Sequence, residues 1–126
     1  MTQEEKDLLL KDLCARLPYG VKFKYEDRSE VCKILSITPI YDWDNVEYFD
    51  RYINEPKKCD IYDVKPYFFP LSSMNDEQEE EYNTMYEENR YSWRENIIDW
   101  FHKNHFDYRG LIPMGLANDA TGLNIY

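Results

Sequence analysis

Between Val21 and Glu26 the chain alternates: Val21, Phe23 and Tyr25 are apolar or aromatic, and Lys22, Lys24 and Glu26 between them are charged. Successive side chains of a strand point to opposite faces, so a period of two predicts a half-buried strand, one face on a core and one in water. After the polar turn Asp27 to Ser29, the segment Val31 to Ile37 is rich in β-branched and apolar residues until Pro39 stops it. The two segments predict an antiparallel hairpin. Val46 to Phe49 and Ile61 to Val64, separated by a polar turn over Asn54 to Lys58, read as two further short strands. Four short strands with turn-rich joins predict a small, curved antiparallel sheet over residues 20–67, of the SH3-like, partly closed barrel kind. Pro66 and Pro70 then make an extended exit that cannot continue a central strand.

Helices flank this sheet, which makes the fold class α+β. Thr2 with Glu5 is the pattern of a capping box, and Leu10, Leu13, Cys14 and Leu17 recur at the spacing of one helical face, with Lys6, Asp7, Lys11 and Asp12 largely off it. Pro18 and Gly20 end this N-terminal helix, which covers residues 1–18. Ser73 and Asn75 are candidate caps ahead of Asp76 and Glu77, whose charges suit the positive end of a helix dipole. The acidic helix runs to about Glu88 and has one thin apolar edge of Tyr82, Met85 and Tyr86, so it is expected on the surface. Ser92 with Glu95 opens a second helix whose stripe of Trp93, Ile97, Trp100 and Phe101 is expected to pack on the sheet and to end near Asn104. Residues 73–104 therefore read as a helical pair. The tail 105–126 holds Gly110, Pro113, Gly115 and Gly122 and reads as irregular turns. With 126 residues, all of this fits one domain.

Charge narrows the function classes. Of 25 acidic residues, seven lie between Asn75 and Glu88, a stretch with no basic residue, and the rest of the chain is close to balanced. No basic stripe is available to neutralise phosphates, so direct nucleic-acid binding is not expected. No long uncharged apolar run and no basic, apolar leader is present, so neither a membrane span nor a secretory signal is expected and the compartment reads as cytoplasmic.

Candidate chemistry is sparse. Cys14, Cys32 and Cys59 show no Cys-x-x-Cys spacing and read as reduced, semi-buried thiols. Asp99, His102, His105 and Asp107 would suit a metal only if the helix ran on through His105; capping of a helix C-terminus is the favoured reading, and no metal is expected. Ser72 and Ser73 lack the context of a nucleophile elbow and no glycine belongs to a phosphate loop, so no cofactor is expected either. Twelve tyrosines could serve a recognition surface or replace aliphatic residues in a small sheet core.

The stretch Asp63-Val64-Lys65-Pro66-Tyr67-Phe68-Phe69-Pro70-Leu71-Ser72-Ser73-Met74, followed by the acidic helix, Asp99-Trp100 and His105-Phe106-Asp107-Tyr108-Arg109-Gly110-Leu111-Ile112, resembles a family of small acidic proteins of phages and mobile elements of gut anaerobic bacteria. The opening Met1 to Gly20, with its Leu17-Pro18-Tyr19-Gly20-Val21 helix exit, resembles it too. The family has no assigned activity, so the resemblance implies an intracellular phage or mobile-element context and supplies no catalytic residue. The leading expectation is a non-enzymatic accessory module that engages a host or phage protein through the acidic helix, with Asp76, Glu77, Glu80 and Glu81 as partner-binding residues, and through tyrosines. A second is a ligand-binding module or small enzyme with its site at Tyr67, His105, Asp107, Tyr108 and Arg109. A third is a DNA mimic whose carboxylates stand for phosphates at a DNA-handling protein.

Overall fold

The computed structural model describes residues 2–25, 31–38, 46–50, 55–88 and 93–126. Three helices, α1 (Gln3–Arg16), α2 (Asp76–Glu88) and α3 (Trp93–Lys103), accompany six strands: β1 (Lys22–Tyr25), β2 (Val31–Ile37), β3 (Val46–Asp50), β4 (Glu55–Cys59), β5 (Val64–Phe68) and β6 (Asn118–Asp119). The fold is α+β. The strands form one sheet in the order β4-β3-β2-β1-β5-β6, antiparallel throughout except for the two-residue pairing of β6 with β5.

The capping box opens α1 as expected: Glu5 N donates to Thr2 Oγ1 at 3.1 Å and Thr2 N to Glu5 Oε1 at 3.0 Å. The buried face of α1 differs from the predicted one. It carries Leu9, Leu10 and Leu13 together with Lys6, Asp12 and Arg16, whereas Cys14 is exposed. Leu9 and Leu13 join Val21, Phe23, Ile34, Val46, Ile61, Val64 and Phe68 in the main core, where each fully buried aliphatic side chain contributes about 2 kcal/mol. Gly20 turns the chain from α1 into β1 at φ +78, a left-handed conformation that glycine adopts without steric cost.

Four expectations about the sheet are corrected. It does not close into an SH3-like barrel: β4 and β6 are its two edges, and β6 is too short to pair with a full strand. Residues 55–58, part of the turn read over Asn54 to Lys58, lie in β4, which pairs with β3 from Asp50↔Glu55 to Val46↔Cys59. Of its side chains only Cys59 is buried, so no apolar alternation marks it; Pro56, Lys57 and Lys58 are what a protected edge tolerates. Ile61 to Val64 is not one strand: residues 61–63 form a 3-10 turn and Val64 is the first residue of β5, with Ile61 and Val64 both buried in the core. Finally, Pro66 lies inside β5, between β1 and β6. The carbonyl of Phe68 accepts from Ala120 on the β6 side. Alternation puts the Pro66 nitrogen on that same side, upstream of the Tyr67↔Asn118 pair where β6 begins, so its missing N–H costs no ladder bond.

Asn75 caps α2 reciprocally with Gln78, through Gln78 N to Asn75 Oδ1 at 2.8 Å and Asn75 N to Gln78 Oε1 at 3.0 Å. Ser73 instead donates its hydroxyl to the Pro70 carbonyl at 2.6 Å. The stripe of α3 does not merge with the sheet core as predicted. Ile97, Phe101 and Phe106 form a second cluster against Phe69, Met74, Tyr82, Met85, Trp100 and Tyr108, and α2 is thereby held to α3. The predicted turn at Asp27 to Ser29, the stop at Pro39, the cap Ser92 and the Trp93 side chain lie outside what the structure describes. No helix among the described residues is long and apolar enough to cross a membrane.

Candidate functional site

The residues proposed from sequence fall into three places. The first is a buried charge cluster between α1 and the segment after α3. Asp12 and Arg16, one helical turn apart and both fully buried, form an ion pair at 2.8 Å (Arg16 Nε to Asp12 Oδ2). Arg109, about a quarter exposed, adds Nε to Asp12 Oδ1 at 2.9 Å. Arg16 also donates from Nη2 to the Phe106 carbonyl at 2.6 Å, and its guanidinium lies 4.0 Å from the Phe68 ring centroid and 5.2 Å from that of Tyr108. Two cations, one fully buried and one partly exposed, thus share one buried carboxylate, and the weakly hydrated guanidinium planes cover aromatic faces.

Tyr108 belongs to this cluster. Its ring stacks on Phe101 at 5.3 Å and 14°, and its hydroxyl shares a 2.7 Å hydrogen bond with His102 Nε2. Burial, with Arg16 beside it, lowers the His102 pKa and favours the neutral ring. Asp107 accepts from Leu111 N and Ile112 N at 2.8 and 2.9 Å and so fixes the turn after it. Asp107, Tyr108 and Arg109 are therefore each engaged with the protein itself.

His105 and Tyr67 meet elsewhere, at Tyr126. The α3 C-terminus closes as a Schellman motif, with His105 N donating to the His102 carbonyl at 3.2 Å and Phe106 N to that of Phe101 at 2.9 Å. His105 takes the left-handed position at φ 61 where glycine is usual, and its ring stacks on Tyr126 at 3.6 Å between centroids and 14° between planes. That geometry disposes of a His102–His105 metal pair: α3 stops at Lys103, and the two rings turn to different partners. Among the described residues no group of three or more His, Cys, Asp or Glu is placed to hold a metal ion. Cys14, though exposed, has its pKa pushed up by the desolvation of its thiol, which disfavours the nucleophilic thiolate.

The third place is α2. Glu77, Glu80 and Glu81 line an open groove of about 420 Å³ with Thr84, and Met85 and Trp100 form its apolar surface. Trp100 Nε1 donates to Glu81 Oε2 at 3.0 Å, which fixes the indole edge beneath the carboxylates. Asp76, exposed in the first turn of α2, is not among these residues.

Sequence reasoning missed Asp12, Arg16 and Tyr126. The signal for the first two was present, because Asp12 and Arg16 follow Leu9 by three and seven positions and Leu13 by −1 and +3, on one helical face. Tyr126 carried none, since its contacts lie 104 and 59 positions away. Comparison of the chain with protein-family models, with curated proteins and with solved structures finds no match in any of the three.

Proposed function

We propose that the protein is a non-catalytic interaction module whose α2–α3 groove receives a basic, amphipathic segment of a partner protein. The observation that carries this reading is the groove itself: a rim of Glu77, Glu80 and Glu81 over an apolar wall of Met85 and Trp100. A cationic side chain there would meet both carboxylates and an indole face, and an apolar neighbour would cover Met85.

The design of α2 supports the same reading. Glu77 and Glu81 are like charges one helical turn apart, and Glu87 and Glu88 stand at the negative end of the helix dipole with no basic residue in the last turn. Each feature weakens an isolated helix by a few tenths of a kcal/mol, so the charge pattern opposes stability and favours recognition. The family resemblance supports an intracellular phage or mobile-element setting and a host or phage protein as the partner.

Affinity capture from host lysate, with the acids of residues 76–88 converted to amides as the comparison, tests the proposal. One stoichiometric partner retained by the native chain, released by salt and absent from the amide variant is the expected result, and a peptide from that partner should shift Trp100 fluorescence. A partner retained equally by both proteins would refute it.

A further inference from the structure

The paired register of β1 and β5 ends at Phe23↔Pro66. One step beyond, where Lys22 and Tyr67 would face each other, the hydroxyl of Tyr126 stands between the strands. It accepts from Lys22 N at 3.0 Å and donates to the Tyr67 carbonyl at 2.7 Å. His105 covers one face of the phenol ring, the Phe69 centroid lies 6.0 Å away, and the Lys22 ammonium sits 5.7 Å from the ring centroid. The same ammonium donates to the Ile125 carbonyl, the backbone group just before the tyrosine.

We propose that this slot is a recognition site for a tyrosine on an extended segment of a partner protein, which Tyr126 occupies in cis. Three observations separate slot from occupant. The walls are built by rigid elements: the sheet holds Lys22 and Tyr67, and His105 is fixed by the helix cap and by its own carbonyl, which accepts from Phe69 N at 2.8 Å. The occupant is carried on a surface turn: Thr121 bonds Asp119 and Leu123 N bonds the Ala120 carbonyl, but residues 121–124 are exposed, Leu123 is half exposed, and Gly122 and Asn124 both have positive φ. Lastly, His105 keeps a ring at a cap position where glycine carries no steric cost, its Nδ1 is buried with no hydrogen-bond partner, and its ring stacks on Tyr126.

The contacts define the ligand. Backbone groups at the open end of the ladder read the hydroxyl, which selects tyrosine over phenylalanine, and Lys22 reads the preceding carbonyl, which selects a peptide over a free phenol. None of these residues lines the α2–α3 groove, so the two proposals stand or fall separately.

The test uses the full chain carrying Tyr126→Ala, titrated with N-acetyl-isoleucyl-tyrosinamide and its phenylalanine counterpart, and read by amide NMR shifts of Lys22, Phe69 and His105. Saturating shifts confined to these residues are expected, with the phenylalanine probe about tenfold weaker for loss of the hydroxyl's bonds. Wild-type protein should need at least about tenfold more probe, because its own tyrosine competes at a millimolar-scale effective concentration. No localised shift in a folded variant, or equal binding of the two probes, overturns the proposal. Should Tyr126→Ala not fold, Tyr126→Phe keeps the ring and loses the hydroxyl; the tyrosyl probe must then displace its tail at lower concentration than in wild type, and superimposable titrations overturn the proposal.

Discussion

Removing Asp12 should be among the most damaging single changes in this chain. Its carboxylate is fully buried and neutralises Arg16, itself fully buried, as well as Arg109. In Asp12→Ala the Arg16 guanidinium stays out of water with no counter-ion, held only by the Phe106 carbonyl and the Phe68 and Tyr108 ring faces. Leaving one charge of a buried pair uncompensated costs about 3–5 kcal/mol. Arg109 adds little, because it is partly exposed and can turn to solvent. Against a total stability of about 5–15 kcal/mol, the loss is a large fraction.

Urea unfolding followed by tryptophan fluorescence reads this directly. With a slope of about 2 kcal/mol per molar urea, the midpoint should fall by about 2 M. Asp12→Leu combined with Arg16→Met removes both charges, and should recover at least half the loss, the remainder reflecting the Phe106 carbonyl left without its donor. A loss below about 1 kcal/mol in Asp12→Ala, or a double variant no better than the single one, would refute the view that the cluster is a charge-compensated pin between α1 and the segment after α3.

Other outcomes follow from single residues. Burial first, then Arg16 and Lys22, lower the His105 pKa to about 4. The unfolded imidazole titrates near 6.5, so between these values the unfolded chain binds more protons, and stability held above pH 6.5 is lost as the pH falls through 4. The shift corresponds to about 3 kcal/mol unscreened and about 1–2 kcal/mol for a ring partly open to water; urea midpoints of wild type and His105→Asn, which tolerates the left-handed backbone, should diverge over this window, and parallel curves would refute it. Leu13→Ala, in the fully buried face of α1, should cost about 3 kcal/mol with an unchanged urea slope, and a loss under 1 kcal/mol would mean that α1 is loosely packed. Glu88→Lys, at the C-terminal end of α2, should raise stability by a few tenths of a kcal/mol at low salt, an effect that vanishes in 1 M salt, and a destabilising result would contradict the dipole argument.

The sequence makes legible whatever is carried by local periodicity. The hairpin alternation at Phe23, the Thr2 box, and the extents of α2 and α3 all depend on contacts a few residues apart, and they are where they were expected. What was not legible depends on the edge or on distance. Glu55 to Cys59 is a strand because β3 offers it an unpaired ladder, so its own side chains need not alternate. Pro66 is tolerated in β5 because its neighbour β6 starts one residue later, a fact set more than 50 positions along the chain. At the candidate site, the dense cluster from His105 to Arg109 was visible as composition, but its division into a charge pin facing α1 and a ring facing Tyr126 was not.

That division shapes the functional reading. After α3, Asp107 is bonded to Leu111 and Ile112, Tyr108 to His102 and Arg109 to Asp12, all within the fold. The α2 carboxylates are different. Glu77 and Glu80 stand at a groove with no cation of their own helix to answer them, while Glu81 holds Trp100 in place as the wall beside them. The proposed reading rests on this contrast: Asp12 is paired with Arg16 and Arg109 inside the fold, whereas α2 is an exposed helix whose charges oppose its own stability. A cationic segment laid on α2 would relieve the repulsion between Glu77 and Glu81 and fill the wall at Met85 and Trp100, so its binding should be enthalpically assisted by the strain it removes and should weaken with salt as the rim is screened.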